Sequence, residues 1–182
     1  MKRLLAAGAL VLASLVPVAA QQAADPQNTV FLDTKDGRVT IRLRPDLAPK
    51  HVEQIKALTK RGFYDGVVFH RVIDGFMAQT GDPTGTGTGK SDLPNIPAEF
   101  TQTQYKRGSV GMARSQSPNS ANSQFFICYD GCGPLTGQYT LFGEVVSGMD
   151  VVDKIKKGNQ AANGMVSNPD KIVKMQLAAD AK

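Results

Sequence analysis

The chain has 182 residues, 41% hydrophobic and 20% charged, which excludes a disordered tail and allows one domain with a substantial core. Its formal net charge is +5, but the basic residues are scattered, with no basic run or aromatic interleaving, so a nucleic-acid partner is not expected. Eighteen glycines and ten prolines favour many short strands joined by turns over a helical bundle.

The first 20 residues stand apart. Lys2 and Arg3 precede an apolar stretch at residues 4–16, and Pro17-Val18-Ala19-Ala20 ends it with small residues. This is the three-part pattern of a secretory signal peptide, and the apolar stretch is short for a membrane span of about 20 residues. Cleavage after Ala20 is expected, with no stable membrane anchor. It would remove two cations and no acid, leaving a net charge of +3. The product would be exported, to the periplasm if the source is Gram-negative. Residues 21–28 form a polar linker and 29–182 the folded domain.

Strand signals begin at residues 29–34 and 38–43. Lys35-Asp36-Gly37 between them reads as a hairpin turn. Val39, Ile41 and Leu43 alternate with Thr40 and Arg42, so one face is wet. A helix should start near Pro49, with Asp46 just ahead and Gly62 as its stop. Val52, Ile55 and Leu58 share one face, and His51 is placed on the exposed side. Residues 67–79 read as strand, broken at Asp74-Gly75, and a glycine-rich loop follows at 81–90. Further strands are expected at 108–113, 124–129, 139–146 and 172–177. A short second helix is expected around Val151, Val152 and Ile155. Many strands with few helices point to a closed sheet or barrel with helices covering its openings.

Several motifs fail on inspection. The loop Gly85 to Ser91 is not a phosphate loop, because Thr84 stands where that motif needs glycine. Ser109 lacks a nucleophile elbow. His51 and His70 make a weak metal pair, and His70 reads as a core or hydrogen-bonding residue. No paired-carboxylate motif suggests glycoside chemistry. Cys128 and Cys132 are spaced C-x-x-x-C; the favoured reading is a small buried side chain and an incidental loop thiol, because i,i+4 closure demands particular backbone geometry.

What survives is polar residues set among large apolar ones. Arg71 and Gln79 lie beside Phe69, Phe76 and Met77, and Gln124 precedes Phe125-Phe126. On a strand Gln124 and Phe126 share a face, as would Phe69 and Arg71. A cationic fork within apolar walls could bind an amide carbonyl. The same pattern equally describes a core with two snorkelling polar residues.

Four segments in order carry a resemblance: FHRVIDGFMAQTGD, GSVGMARS, NSQFFIC and GQYTLFGEV. Together they resemble the cyclophilin family of peptidyl-prolyl cis-trans isomerases over roughly residues 29–177. The resemblance implies a mainly β fold, an eight-stranded antiparallel closed barrel capped by two α-helices. The active site would lie on the outer surface, with no metal or organic cofactor. By position, Arg71 matches the catalytic arginine. Phe76, Met77, Phe126 and Leu135 match the walls of a proline pocket. Gln79 and Gln124 match glutamines that hold the arginine and contact substrate backbone. Ala113 and Arg114 match the strand that pairs with the peptide, where eukaryotic members often have Ala-Asn. Tyr139 falls where those members have histidine, and is included among the substrate-contacting positions. Pro134 falls where many have tryptophan, which makes a cyclosporin-type cyclic peptide a partner of doubtful affinity. The expected partners are proline-containing polypeptides, and the expected state is a monomer. A non-catalytic chaperone binding proline segments on the same fold is the alternative.

Overall fold

A computed structural model describes residues 25–182. The leader expected at residues 1–20, and residues 21–24 of the linker, lie outside them. Strand β1 (Thr29–Thr34) pairs antiparallel with β2 (Gly37–Leu43), and Thr34 faces Gly37 across a two-residue turn. Gly37 has φ of 136°, a value open to glycine and strained for other residues.

Helix α1 (Pro49–Lys60) follows, with proline in its first turn. No side chain next to its start caps it. The cap is Glu99, whose carboxylate accepts from the backbone N–H of Lys50 (3.2 Å) and of His51 (3.1 Å). Asp46 is engaged with Arg44 instead. His51, placed on the exposed side from sequence, is fully buried. Its Nδ1 lies 2.6 Å from Glu99, so the distant acid draws the ring inward.

The remaining strands are β3 (Arg71–Ile73), β4 (Met77–Thr80), β5 (Ser109–Met112), β6 (Phe125–Cys128), β7 (Leu141–Ser147) and β8 (Lys174–Leu177). Helix α2 (Met149–Lys154) sits between β7 and β8 in the chain and packs against β2. All pairings are antiparallel, in the order β3-β4-β6-β5-β7-β2-β1-β8.

The expected closed barrel is not formed. The sheet curls but stays open between its edge strands β3 and β8. The seam is crossed where residues 66–69 meet 170–172, through the isolated bridge Val68–Lys171 and a few backbone hydrogen bonds, and where Met175 donates its N–H to the Asp65 carboxylate (2.8 Å). The sequence reading took 67–79 as strand up to the Asp74-Gly75 break. In fact the chain before Arg71 leaves the ladder, and Phe69 donates its N–H to the Asp170 carbonyl (2.8 Å). Strict alternation therefore fails at this point, and Phe69 and His70 are both buried. Phe69 belongs to the inner core and does not share a face with Arg71. Among the described residues, neither ring nitrogen of His70 has a hydrogen-bond partner.

Side-chain alternation gives the sheet two apolar faces. Val72, Ala78, Val110, Phe125 and Ile127 point inward, with Leu32, Ile41, Phe142 and the buried side of α1. Met77, Phe126, Cys128 and Leu141 point outward into a second, smaller cluster. That second cluster is the floor of the candidate site.

Candidate active site

Strand register sets up the site. Arg71 on β3 pairs with Gln79 on β4, Gln79 with Phe126 on β6, and Phe126 with Gly111 on β5. These four residues form one row on the outer face. The next row brings together Ile73, Met77 and Cys128. Gly111 is required in its place. A Cβ there would collide with the Tyr105 hydroxyl and the Phe126 ring, and Phe126 stacks on Tyr105 with centroids 5.9 Å apart. Tyr139 meets the same Phe126 ring edge-on at 5.8 Å.

The resulting cavity has a volume of about 170 Å³. Phe76, Met77, Phe126, Leu135 and Tyr139 supply its apolar walls; Arg71, Gln79, Ala113 and Arg114 supply its polar rim. Nine of the ten residues nominated from sequence thus converge. The tenth, Gln124, lies just behind and acts through Gln79. Ala113 donates its N–H to the Gln124 carbonyl (2.9 Å), which leaves its own carbonyl for a passing peptide.

Arg71 is held on both sides. Its Nη1 donates to Gln79 Oε1 (3.1 Å). Gln79 Nε2 donates to Gln124 Oε1 (2.9 Å), and Gln124 Nε2 donates to the carbonyls of Gly87 (3.1 Å) and Gly89 (2.8 Å). This chain fixes the orientation of both amides. On the other side Arg71 Nε donates to the Asn163 carbonyl and Nη2 to Asn163 Oδ1, both at 3.0 Å. The second N–H of Nη1 donates to Met77 Sδ (4.0 Å), and one N–H on Nη2 is left over. Burial pushes the guanidinium below its ordinary pKa, while Tyr139 opposes the shift; the group stays cationic at neutral pH.

Asn163 was missed from sequence. It adopts a left-handed φ of 53°, which asparagine tolerates better than most residues. The loop around it docks on β3, where Val72 donates to the Gly164 carbonyl and accepts from Gly158 N–H. The dipeptide Asn163-Gly164 was the available signal, since Asn-Gly marks a turn. Nothing in the sequence showed that the turn reaches Arg71.

One other expectation changes. Cys128 and Cys132 form a disulfide, with Cα atoms 5.9 Å apart. The 3-10 turn Asp130–Leu135 folds Cys132 back over the end of β6, supplying the geometry that the spacing alone does not promise. Both cysteines are fully buried, so Cys132 is not an incidental loop thiol. The same turn carries Leu135 to the pocket and leaves Pro134 exposed, away from the lining. In the glycine-rich loop, Thr84, Gly87 and Gly89 all donate their N–H to the Asp82 carboxylate. The loop's donors are filled by its own acid, which suits a closed turn and not a phosphate cradle.

Fold and site together define a class: a curled antiparallel sheet with an immobilised arginine at the lip of a small apolar pocket on its outer face. The family model described as cyclophilin type peptidyl-prolyl cis-trans isomerase/CLD matches residues 29–177, and the chain belongs to that family. It is 59% identical over 189 residues to a Brucella suis protein named "Probable peptidyl-prolyl cis-trans isomerase", covering 98% of this chain and 96% of that one. It is 41% identical over 133 residues to rat "Peptidyl-prolyl cis-trans isomerase-like 3", covering 71% and 82% of the two chains. Among solved structures it is similar to the cyclophilin AquaCyp293 from Hirschia baltica, with TM-score 0.77, 30% identity, and coverage of 87% and 77%. It is also similar to a Cryptosporidium parvum cyclophilin type isomerase crystallised in the presence of the dipeptide Ala-Pro, with TM-score 0.74, 29% identity, and coverage of 82% and 98%. The chain is therefore a peptidyl-prolyl cis-trans isomerase.

Proposed function

We propose that this isomerase accelerates X-Pro rotation in exported polypeptides, and that Arg71 is its catalytic residue. The observation that carries the reading is Arg71 itself, pinned by Gln79 and Asn163 at the rim of a small apolar pocket with one Nη2 donor to spare. An X-Pro bond rotates against a barrier of about 18–20 kcal/mol, because amide resonance gives it partial double-bond character. Uncatalysed exchange takes tens to hundreds of seconds. As the bond twists, the nitrogen becomes pyramidal and its lone pair localises. A donor from Arg71 is then stronger in the twisted state than in either planar one, which is the condition for catalysis. Phe76, Met77, Phe126 and Leu135 hold the ring while the preceding carbonyl swings. The step needs no nucleophile and forms no covalent intermediate.

Export rests on the leader-like residues 1–20 and is supported by the Cys128–Cys132 disulfide, since disulfides persist in oxidising compartments. With Pro134 outside the lining, a cyclosporin-type ligand would lose one wall, and we expect weak binding. A refolding assay tests the function. A client whose slow phase is set by a proline bond should refold faster with catalytic amounts of the protein. Acceleration only at stoichiometric amounts, unchanged in Arg71→Ala, would favour a holding chaperone. Cell fractionation of the full chain tests export; recovery of uncleaved protein from the cytoplasm would exclude it.

A further inference from the structure

The groove across the outer face carries unbalanced positive charge. Beside the proline pocket lies a second cavity of about 490 Å³. Gln79, Ala113 and Arg114 line both, so the two form one groove. Arg71 lines the first, Lys90 the second, and Arg114 stands at their junction. Among the described residues, no aspartate or glutamate lines either cavity.

The arginines elsewhere behave differently. Seven lie among the described residues. Arg38, Arg42, Arg44, Arg61 and Arg107 each sit on a carboxylate. The two that do not are Arg71 and Arg114, both in the groove. Arg71 is accounted for by the isomerisation site; Arg114 is not. Its Nε and Nη2 donate to the Gln138 carbonyl (3.2 and 3.0 Å), and its Nη1 donates to the carbonyls of Ser115 (3.0 Å) and Gln116 (3.2 Å). The guanidinium lies over the Tyr139 ring, 4.6 Å from its centroid, with Phe100 at 5.7 Å. These contacts hold the group still, but carbonyls and ring faces are neutral and leave its charge uncancelled. One N–H on Nη2 is free. Among the described residues, the Lys90 ammonium donates to the amide oxygen of Asn95, at 3.4 Å, and meets no carboxylate.

We propose that Arg114, with Lys90 across the second cavity, selects substrates bearing a carboxylate side chain close to the proline. The inference rests on the small pocket being where the proline binds. An extended peptide advances about 3.3–3.6 Å per residue, so the selected side chain lies within two or three residues of the proline. The held guanidinium matches a carboxylate with little further loss of side-chain freedom.

The test uses the whole protein and Ala-Pro peptides carrying Glu, Gln or Lys at each of three positions on either side. Isomerisation is read as kcat/KM, and binding of the same labelled peptides by fluorescence anisotropy. At low salt one position should favour Glu over Lys by roughly three- to ten-fold, the range of one part-buried ion pair. The ratio should shrink in 0.5 M salt, where the Debye length is only a few ångströms. Arg114→Gln should remove most of the ratio, Arg114→Lys should keep part of it, and Arg114→Glu should reverse it. Each variant is compared with itself across peptides, so a general loss of activity does not count. Equal values for Glu, Gln and Lys peptides in the wild type would overturn the proposal. A Glu preference that survives Arg114→Gln would overturn its assignment to Arg114. Exchange of the neutral peptide scores the isomerase reading separately; were it absent, the anisotropy ratios would still decide the charge preference.

Discussion

At the residue scale, Arg71 depends on a neighbour 92 positions away in sequence. Asn163 holds it through two groups of different origin, a backbone carbonyl and a side-chain amide. Asn163→Gly keeps the carbonyl and the positive φ but deletes Oδ1. The expected result is a fall in kcat of about ten-fold, the worth of one hydrogen bond to a charged group, with KM little changed. The unfolding midpoint should hardly move, because Asn163 is exposed. A change in stability with kcat intact would make Asn163 a scaffold residue only. Arg71, Phe76, Met77, Gln79 and Phe126 were named by the resemblance of long motifs; alternation alone left the same pattern open to a core, and it put Phe69 on the face of Arg71. Asn163 was not named, because a turn signal says that the chain bends and not what the bend touches. His51 was misplaced for a related reason: helical periodicity cannot register an acid arriving from residue 99.

At the element scale, β6 and the turn after it set the depth of the pocket. β6 presents Phe126; the disulfide from its last residue ties down the 3-10 turn that presents Leu135. Closing so short a loop contributes about 2 kcal/mol by the chain-entropy argument. Reduction, or Cys132→Ser, should therefore lower the thermal midpoint by several degrees and raise KM for proline peptides as Leu135 loosens. Melting curves that coincide with and without dithiothreitol would contradict this. On the facing strand, Gly111→Ala should cost about 1–3 kcal/mol through overpacking against Phe126 and Tyr105. It should also weaken substrate binding, measurable by denaturant unfolding beside KM. The eight strands were found from alternation and turn residues. The departure at residues 67–70 was hidden, because Val67, Val68 and Phe69 make a continuous apolar run that periodicity cannot assign to a face. The disulfide was hidden because its geometry belongs to a 3-10 turn, which leaves no apolar rhythm.

At the scale of the whole molecule, the sheet stays open and its edges are joined by isolated contacts, and local patterns carry no information about that seam. The two histidines give a global property to measure. Burial pushes the pKa of each below its ordinary value of 6.5, against an opposing pull from Glu99 on His51 and from Asp82 on His70. As pH falls, the unfolded chain takes up these protons first, so stability should decline from just above pH 6.5 downward and level off below the folded-state values. Each histidine contributes a slope of at most about 1.4 kcal/mol per pH unit in that window. Denaturant midpoints at pH 7.5 and 5.5 check this; a higher midpoint at pH 5.5 would contradict it. The most direct measurement of all is exchange of an Ala-Pro peptide by the wild type and by Arg71→Ala. Fast exchange in the wild type and a loss of roughly 10²–10³ in the variant is the predicted result, as for other lost transition-state donors. A variant that kept most of the wild-type rate would remove Arg71 from the mechanism.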